Sequence, residues 1–275
     1  MDVCAKLRRL YAERRVGHAG TLDPMATGVL PVFVGRATRA VEFAEAGEKE
    51  YLATLRLGLV TDTQDTTGTV LEEHPVTCTR EQVEAALAPF RGEISQIPPM
   101  YSALKVNGRK LCDLARQGRS VERKARTITI SALELGDQTG PEEYALRVRC
   151  SKGTYVRTLC HDIGQALGCG GCMSSLRRTM AAGFSLDQAV TLEQVMAAAE
   201  AGTAQSLLLG VDDYFSGYAA VTVDAEAERR CRNGNRFPSR GPDGLYRVYG
   251  PEGSFLMLGR RERGMMSTIK SFFEV

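Results

Sequence analysis

Gly17-His18-Ala19-Gly20-Thr21-Leu22-Asp23-Pro24-Met25-Ala26-Thr27-Gly28-Val29-Leu30-Pro31 sets a single carboxylate inside a stretch too rich in glycine and proline to run on as helix or strand. Glycines at 17, 20 and 28 permit positive φ and the close approach of a ligand, and Pro24 fixes φ just after the acid. Two readings of Asp23 follow. It caps its own backbone in an Asx-turn, or the loop exists to present its carboxylate. Spacing alone leaves both open.

Outward from this loop the patterns are local and legible. Upstream, Val3, Leu7, Leu10 and Tyr11 fall at helical spacing with Arg8, Arg9, Arg14 and Arg15 elsewhere, so a helix over 3–15 is expected to deliver the chain to Gly17. Downstream, the apolar run 29–34 predicts a buried strand. The alternation of Tyr51, Ala53, Leu55, Leu57 and Leu59 predicts another over 50–59, with Tyr51 on its core face. Residues 62–68 carry acids and a glycine but lack the D-x-D-x-D-G pattern of a calcium loop and read as a turn. Thr79-Arg80-Glu81-Gln82 is a capping box for a helix bearing Val83, Leu87 and Phe90. Asn107-Gly108 signals a hairpin, followed by a short helix over 110–116. Further strands are expected over 127–135 and 144–150. Thr154 is expected to cap a helix with Val156, Cys160, Ile163 and Leu167 inside and Arg157 in its first turn. Beyond Ala219, short strands broken by Asn233-Gly234, Gly241-Pro242, Gly244, Gly250-Pro251 and Gly253 read as a small β domain.

A chain of 275 residues with 43% hydrophobic content can bury a full core, and its division is expected at 1–215 and 216–275. No apolar run of about 18 residues is present and the N-terminus is basic and amphipathic, so neither a membrane span nor a secretory leader is expected and the reading is a cytoplasmic protein. The eight cysteines read as reduced, small hydrophobes. Cys169-Gly170-Gly171-Cys172 lacks a second ligand pair, so no metal is expected. The net charge of +2 conceals residues 104–126, where eight Lys or Arg stand against Asp113 and Glu122. Such a run is a solvated face or a surface for a phosphate backbone.

The loop pattern GHxGTLDPxATGVLP resembles the active-site loop of the TruB family of tRNA pseudouridine synthases. Lys49-Glu50-Tyr51 resembles the family's KxY element, Pro98-Pro99-Met100-Tyr101-Ser102-Ala103-Leu104-Lys105 its PPxYSAxK segment, and Ser151-Lys152-Gly153-Thr154-Tyr155-Val156-Arg157 its SKGTYxR motif. The tail from Ala219 to Phe273 is similar to its PUA-type RNA-binding domain, so the resemblance covers nearly the whole chain. It implies an α+β pseudouridine synthase fold: a central mixed, mainly antiparallel sheet flanked by helices, plus a small C-terminal β-rich PUA-like domain. It implies isomerisation of the T-loop uridine at position 55 of tRNA, without cofactor or metal. The implied partner is the tRNA T-arm stem-loop, with no membrane and no obligate protein partner, the chain acting as a monomer.

By the same resemblance Asp23, Tyr51 and Arg157 are the catalytic residues, Arg157 pairing with Asp23 and Tyr51 stacking on the flipped uracil. His18 wedges into the RNA loop that the target nucleotide vacates. Lys49, Tyr101, Lys105, Arg109, Lys110, Lys152, Tyr155, Arg177 and Arg178 are expected at the substrate or RNA surface. From the residues alone, Arg157 also reads as a structural ion pair, Tyr51 as a core tyrosine and His18 as a structural histidine. Two other functional readings stand beside the leading one: a non-catalytic RNA-binding protein using the same surface, and a related synthase acting on another RNA with a guide RNA. The chain also departs from the family, whose members begin with a further strand and a DKPxGxTS-like segment. Residues 1–9 align just after that motif, which is expected to reflect a start site placed too late.

Overall fold

Alternation along strand Lys49–Leu57 buries Tyr51, Ala53, Leu55 and Leu57 and leaves Leu52 exposed, because successive side chains leave a strand on opposite faces. In the computed structural model, which describes residues 2–273, this strand is central to a sheet ordered Phe184–Ser185, Gly171–Ala181, Lys49–Leu57, Glu143–Cys150, Arg126–Gly140 and Gly92–Gln96. All of these neighbours are antiparallel. The short strand Thr27–Gly28, from the Asp23 loop, adds to Gly171–Ala181 in parallel. The sheet is therefore mixed and mainly antiparallel, as expected. Helix Val156–Ala166 covers its inner face, where Val156, Leu159, Cys160 and Ile163 join Leu55, Leu57, Leu133, Leu146 and Met173 in one core. Each large apolar side chain so buried contributes about 1.5–3 kcal/mol relative to exposure.

The chain divides into two compact units. One holds residues 1–19, 31–44 and 190–275, and the other holds residues 20–30 and 45–189, which include the central sheet. Residues 1, 274 and 275 lie outside the described residues, and Met1, where the start was expected to be placed too late, is among them. In the first unit a five-stranded sheet runs in the order Ala219–Thr222, Gly244–Tyr249, Phe255–Glu262, Met265–Ser271 and Phe237–Pro238. Its core is built from Tyr246, Val248, Leu256, Met257 and Met266. This is the β-rich, PUA-like tail, with one helix, Ala225–Arg232, that the glycine-punctuated pattern did not announce. No helix among the described residues is long and apolar enough to cross a membrane.

Local signals were kept where nothing distant competed. The Thr79 box caps helix Arg80–Ala86 reciprocally with Gln82, and Val83 and Leu87 are fully buried. Strands Lys105–Val106 and Arg109–Lys110 turn on Asn107 (φ +50°) and Gly108 (φ +79°), the left-handed pair that a tight hairpin requires, and helix Leu111–Ala115 follows. Elsewhere the structure corrects the expectations. The first helix spans only Val3–Leu10, ending before Ala12 at φ +50°. Gly17 lies in strand Val16–His18 without a positive φ, paired with Val32–Val34. The run 29–34 is strand only at that end, because the Val29 N–H donates to the Arg178 carbonyl instead. The expected strand 50–59 breaks at Gly58 (φ +80°), where a Cβ would stand 2.7 Å from the His74 carbonyl oxygen.

Candidate active site

Asp23 opens a turn in which the Ala26 N–H donates to the Asp23 carbonyl at 2.9 Å, with Pro24 pre-setting the first corner. That turn is closed by main chain, so the side chain is free for other work. Both carboxylate oxygens accept from Arg157: Nε donates to Oδ2 at 2.9 Å and Nη2 to Oδ1 at 3.0 Å. The guanidinium is 5% exposed and the carboxylate 30%, so the acid opens toward solvent with the cation behind it. This replaces the Asx-turn reading.

The fork of Arg157 is fixed on its other side as well. Nη1 donates to the Thr63 carbonyl and Nη2 to the Tyr101 carbonyl, both at 2.9 Å. Nη1 also lies 3.6 Å from Oδ2 of Asp65, a buried carboxylate whose Oδ1 accepts from Thr63 Oγ1, Thr67 N and Thr67 Oγ1. A planar guanidinium with this many acceptors has one orientation. Sequence reasoning placed Asp65 in a turn and missed its role, since a lone acid in a turn carries no periodic signal. It also missed Gln96. Thr154 does not cap the helix, because its hydroxyl donates back to the Ser151 carbonyl. No side chain among the described residues caps this helix; Gln96 instead pins the residue before it, with Tyr155 N–H donating to its Oε1 at 2.9 Å and its Nε2 donating to the Tyr155 carbonyl at 3.1 Å.

Tyr51 lies opposite Arg178 in the strand register and is 8% exposed. Burial raises its phenol above the ordinary tyrosine value, Cys150 and Asp23 push the same way, and Arg178 opposes them. The phenol is therefore neutral at physiological pH, within the electrostatic reach of both Asp23 and Arg178. Arg178 is fully buried, donating from Nε to the Val29 carbonyl at 2.7 Å and from Nη2 to the Gly20 carbonyl at 3.0 Å.

The structure thus brings together Asp23, Arg157, Tyr51 and Arg178. The Lys49 ammonium is buried and donates to the Glu45 and Gly47 carbonyls at 3.1 Å. Burial first, and then Arg178, lower its pKa. Tyr101 donates from its hydroxyl to Asp62 Oδ2 at 3.0 Å, a bond that raises the phenol's pKa. Tyr155 is half-buried, and Lys152, Lys105, Arg109 and Lys110 are exposed, the last three on the hairpin. Arg177 is exposed and in register with Leu52, so it leaves the sheet on the face opposite Tyr51 and Arg178. His18 ends strand Val16–His18 in the first unit, and its buried Nδ1 has no hydrogen-bond partner among the described residues.

Among solved structures the chain is similar to a Cbf5-Nop10-Gar1 complex, with a TM-score of 0.73 over 99% of this chain and 80% of that one at 24% identity. It is also similar to an H/ACA RNP bound to a substrate RNA containing 2'-deoxyuridine, with a TM-score of 0.71 at 22% identity over 99% of this chain and 81% of that one. These likenesses show a shared fold, and the family models define the class as pseudouridine synthase. Residues 8–156 match the model of the TruB family pseudouridylate synthase (N terminal domain), and residues 157–215 match that of the tRNA pseudouridylate synthase B C-terminal domain. The chain belongs to the TruB family of pseudouridine synthases. It is 47% identical to the tRNA pseudouridine synthase B of Lactiplantibacillus plantarum over 85% of this chain and 78% of that protein. It is 43% identical to that of Cupriavidus metallidurans over 96% of this chain and 87% of that protein.

Proposed function

We propose that this chain isomerises the T-loop uridine at position 55 of tRNA to pseudouridine, with Asp23, Arg157 and Tyr51 carrying the chemistry. The observation behind this reading is the Asp23 carboxylate, gripped on both oxygens by Arg157 and still open to solvent within the family's loop. In the reaction the N1–C1′ bond breaks, the uracil turns while held, and a C5–C1′ bond forms. C5 loses its proton and N1 gains one, so product and substrate are isomers and no co-reactant is consumed. Asp23 attacks the nucleoside or stabilises its charged intermediate, and Arg157 orients it and balances its charge.

A base stacked in a folded RNA loop must be extruded before its glycosidic bond is reached. Tyr51 stacks on the extruded uracil, and the charge of Arg178 beside the phenol favours its taking part in removal of the C5 proton. His18 fills the space the nucleotide leaves. Lys105, Arg109 and Lys110, with Lys152, meet phosphates. Residues 1–215 act as the catalytic domain and 216–275 as a PUA-like RNA-binding domain, in a cytoplasmic monomer. The deciding experiment is tritium release from tRNA labelled at uridine C5, comparing this chain with Asp23→Asn. Release that depends on Asp23 is expected. No release by a folded, tRNA-binding protein would leave an RNA-binding role only.

A further inference from the structure

We infer that Arg178 is a positioning residue for the reaction: one buried guanidinium ties both ends of the Asp23 loop to the strand that faces Tyr51. This goes beyond the catalytic roles proposed above and rests on them.

Charged side chains are almost never fully buried unless paired. Arg157 meets that demand with two carboxylates. Arg178, at 1% exposure, has no carboxylate within ion-pair distance among the described residues. Its Nε and Nη2 donate instead to the carbonyls of Val29 and Gly20, which bracket Asp23 in the chain. The same residue closes the tie with its main chain, since the Val29 N–H donates to the Arg178 carbonyl at 2.9 Å and the parallel ladder sets Arg178 opposite Gly28. Gly28 has φ +104°, and a Cβ there would stand 2.1 Å from the Arg178 carbonyl oxygen, so only glycine permits this approach. At Gly20 a Cβ would stand 3.4 Å from Arg178 Nη1.

Between these two fastened points the loop is a turn of exposed and half-exposed residues, held otherwise by the Arg157 bonds to Asp23 and the packing of Met25 and Ala26 on the core. An apolar side chain of like volume would fill the site without the desolvation cost of a charge. What the guanidinium adds is two donors at a fixed separation, with Tyr51 across the strand pair on the same face. The ends of the Asp23 loop and Tyr51 thereby meet one side chain, and a flexible ammonium cannot bridge the same two carbonyls in that geometry.

Arg178→Lys tests this. A displacement of the order of 1 Å at the reacting group is expected to lower kcat by about 10²-fold, with KM for tRNA little changed. Amides of residues 20–29 are expected to exchange faster. Wild-type kcat in the folded variant, or a loss confined to KM, would overturn the proposal. Should the variant not fold, the unaltered enzyme decides. The Val29 amide must exchange as slowly as those of strands Lys49–Leu57 and Gly171–Ala181, and exchange at the rate of exposed loop amides removes the clamp. Hydrogen exchange reads the clamp without turnover. Slow Val29 exchange in a chain that releases no tritium would keep the clamp and discard the catalytic reading.

Discussion

Arg157 uses four donated hydrogen bonds, two to Asp23 and one each to the Thr63 and Tyr101 carbonyls, and turns Nη1 toward Asp65. A lysine ammonium is a point charge with three donors and cannot serve two carboxylate oxygens and two separate carbonyls. Arg157→Lys should therefore lower kcat/KM by about 10²–10³-fold through misplacement of the nucleophile. It should also cost about 1–3 kcal/mol of stability for the acceptor left unsatisfied in the interior. Steady-state kinetics beside a urea titration would separate the two effects, and near-wild-type turnover would remove Arg157 from the chemistry. Tyr51 invites a cleaner substitution, because phenylalanine keeps the buried ring and removes only the hydroxyl that interacts with Arg178. Tyr51→Phe should keep tRNA affinity and lose about 10²–10⁴-fold in turnover if the phenol moves the C5 proton. Unchanged turnover would leave it stacking alone. The sequence could name Asp23, Tyr51 and Arg157 because each stands inside a contiguous motif. It could not name Asp65, whose part depends on a fold that brings a turn residue to a helix ninety-two positions later.

At the scale of elements, the readings that held are those decided within a few residues: the alternation of Tyr51 to Leu57, the Thr79 capping box and the Asn107-Gly108 hairpin. Those that failed were decided by distant partners. Ser151 drew off the hydroxyl of Thr154 that was expected to cap the helix, Gln96 from another strand pins Tyr155 there instead, and Arg178 drew Val29 out of the strand expected over 29–34. The scattered cysteines likewise take their chemistry from the sheet around them. Cys150 ends strand Glu143–Cys150 and Cys172 lies near the start of Gly171–Ala181, and burial pushes each thiol from 9.0 up to about 11. Cys160, wholly buried on the covering helix, is pushed the same way. A thiol raised in the folded state keeps a proton that the unfolded chain releases, so its stabilisation is complete below pH 9 and is lost as pH rises through about 11. The urea midpoint should accordingly stay level from neutral pH to about 9 and fall between 9 and 11. A midpoint that rises over that interval would mean the thiols are not held protonated.

For the whole molecule, the charge distribution matters more than the net charge of +2. Contacts such as those of Arg36 with the Phe272 carbonyl and Arg39 with that of Ser271 join residues far apart in the chain and were invisible to any local pattern. The basic segment 104–126, in contrast, was legible as charge and remains so in three dimensions. Arg116 lies 3.7 Å from Asp113 and Arg123 donates to the Pro98 carbonyl, whereas Lys105, Arg109, Lys110, Arg119 and Lys124 are exposed with no ion pair among the described residues. Exposed charges add little to folding stability, typically about 0–1 kcal/mol even when paired. Their use is to attract a polyanion, releasing its counterions when they meet phosphate. Each such contact steepens the fall of log affinity with log salt by about 0.7–0.9. Replacing Lys105, Arg109 and Lys110 together by glutamine should weaken tRNA binding at low salt and make that slope shallower by about 2–3. The melting temperature should hold nearly constant, since exposed substitutions of this kind stay within about 0.5 kcal/mol. Filter binding across a salt series measures the slope directly, and a triple variant with the slope of the unaltered chain would place the hairpin away from the RNA.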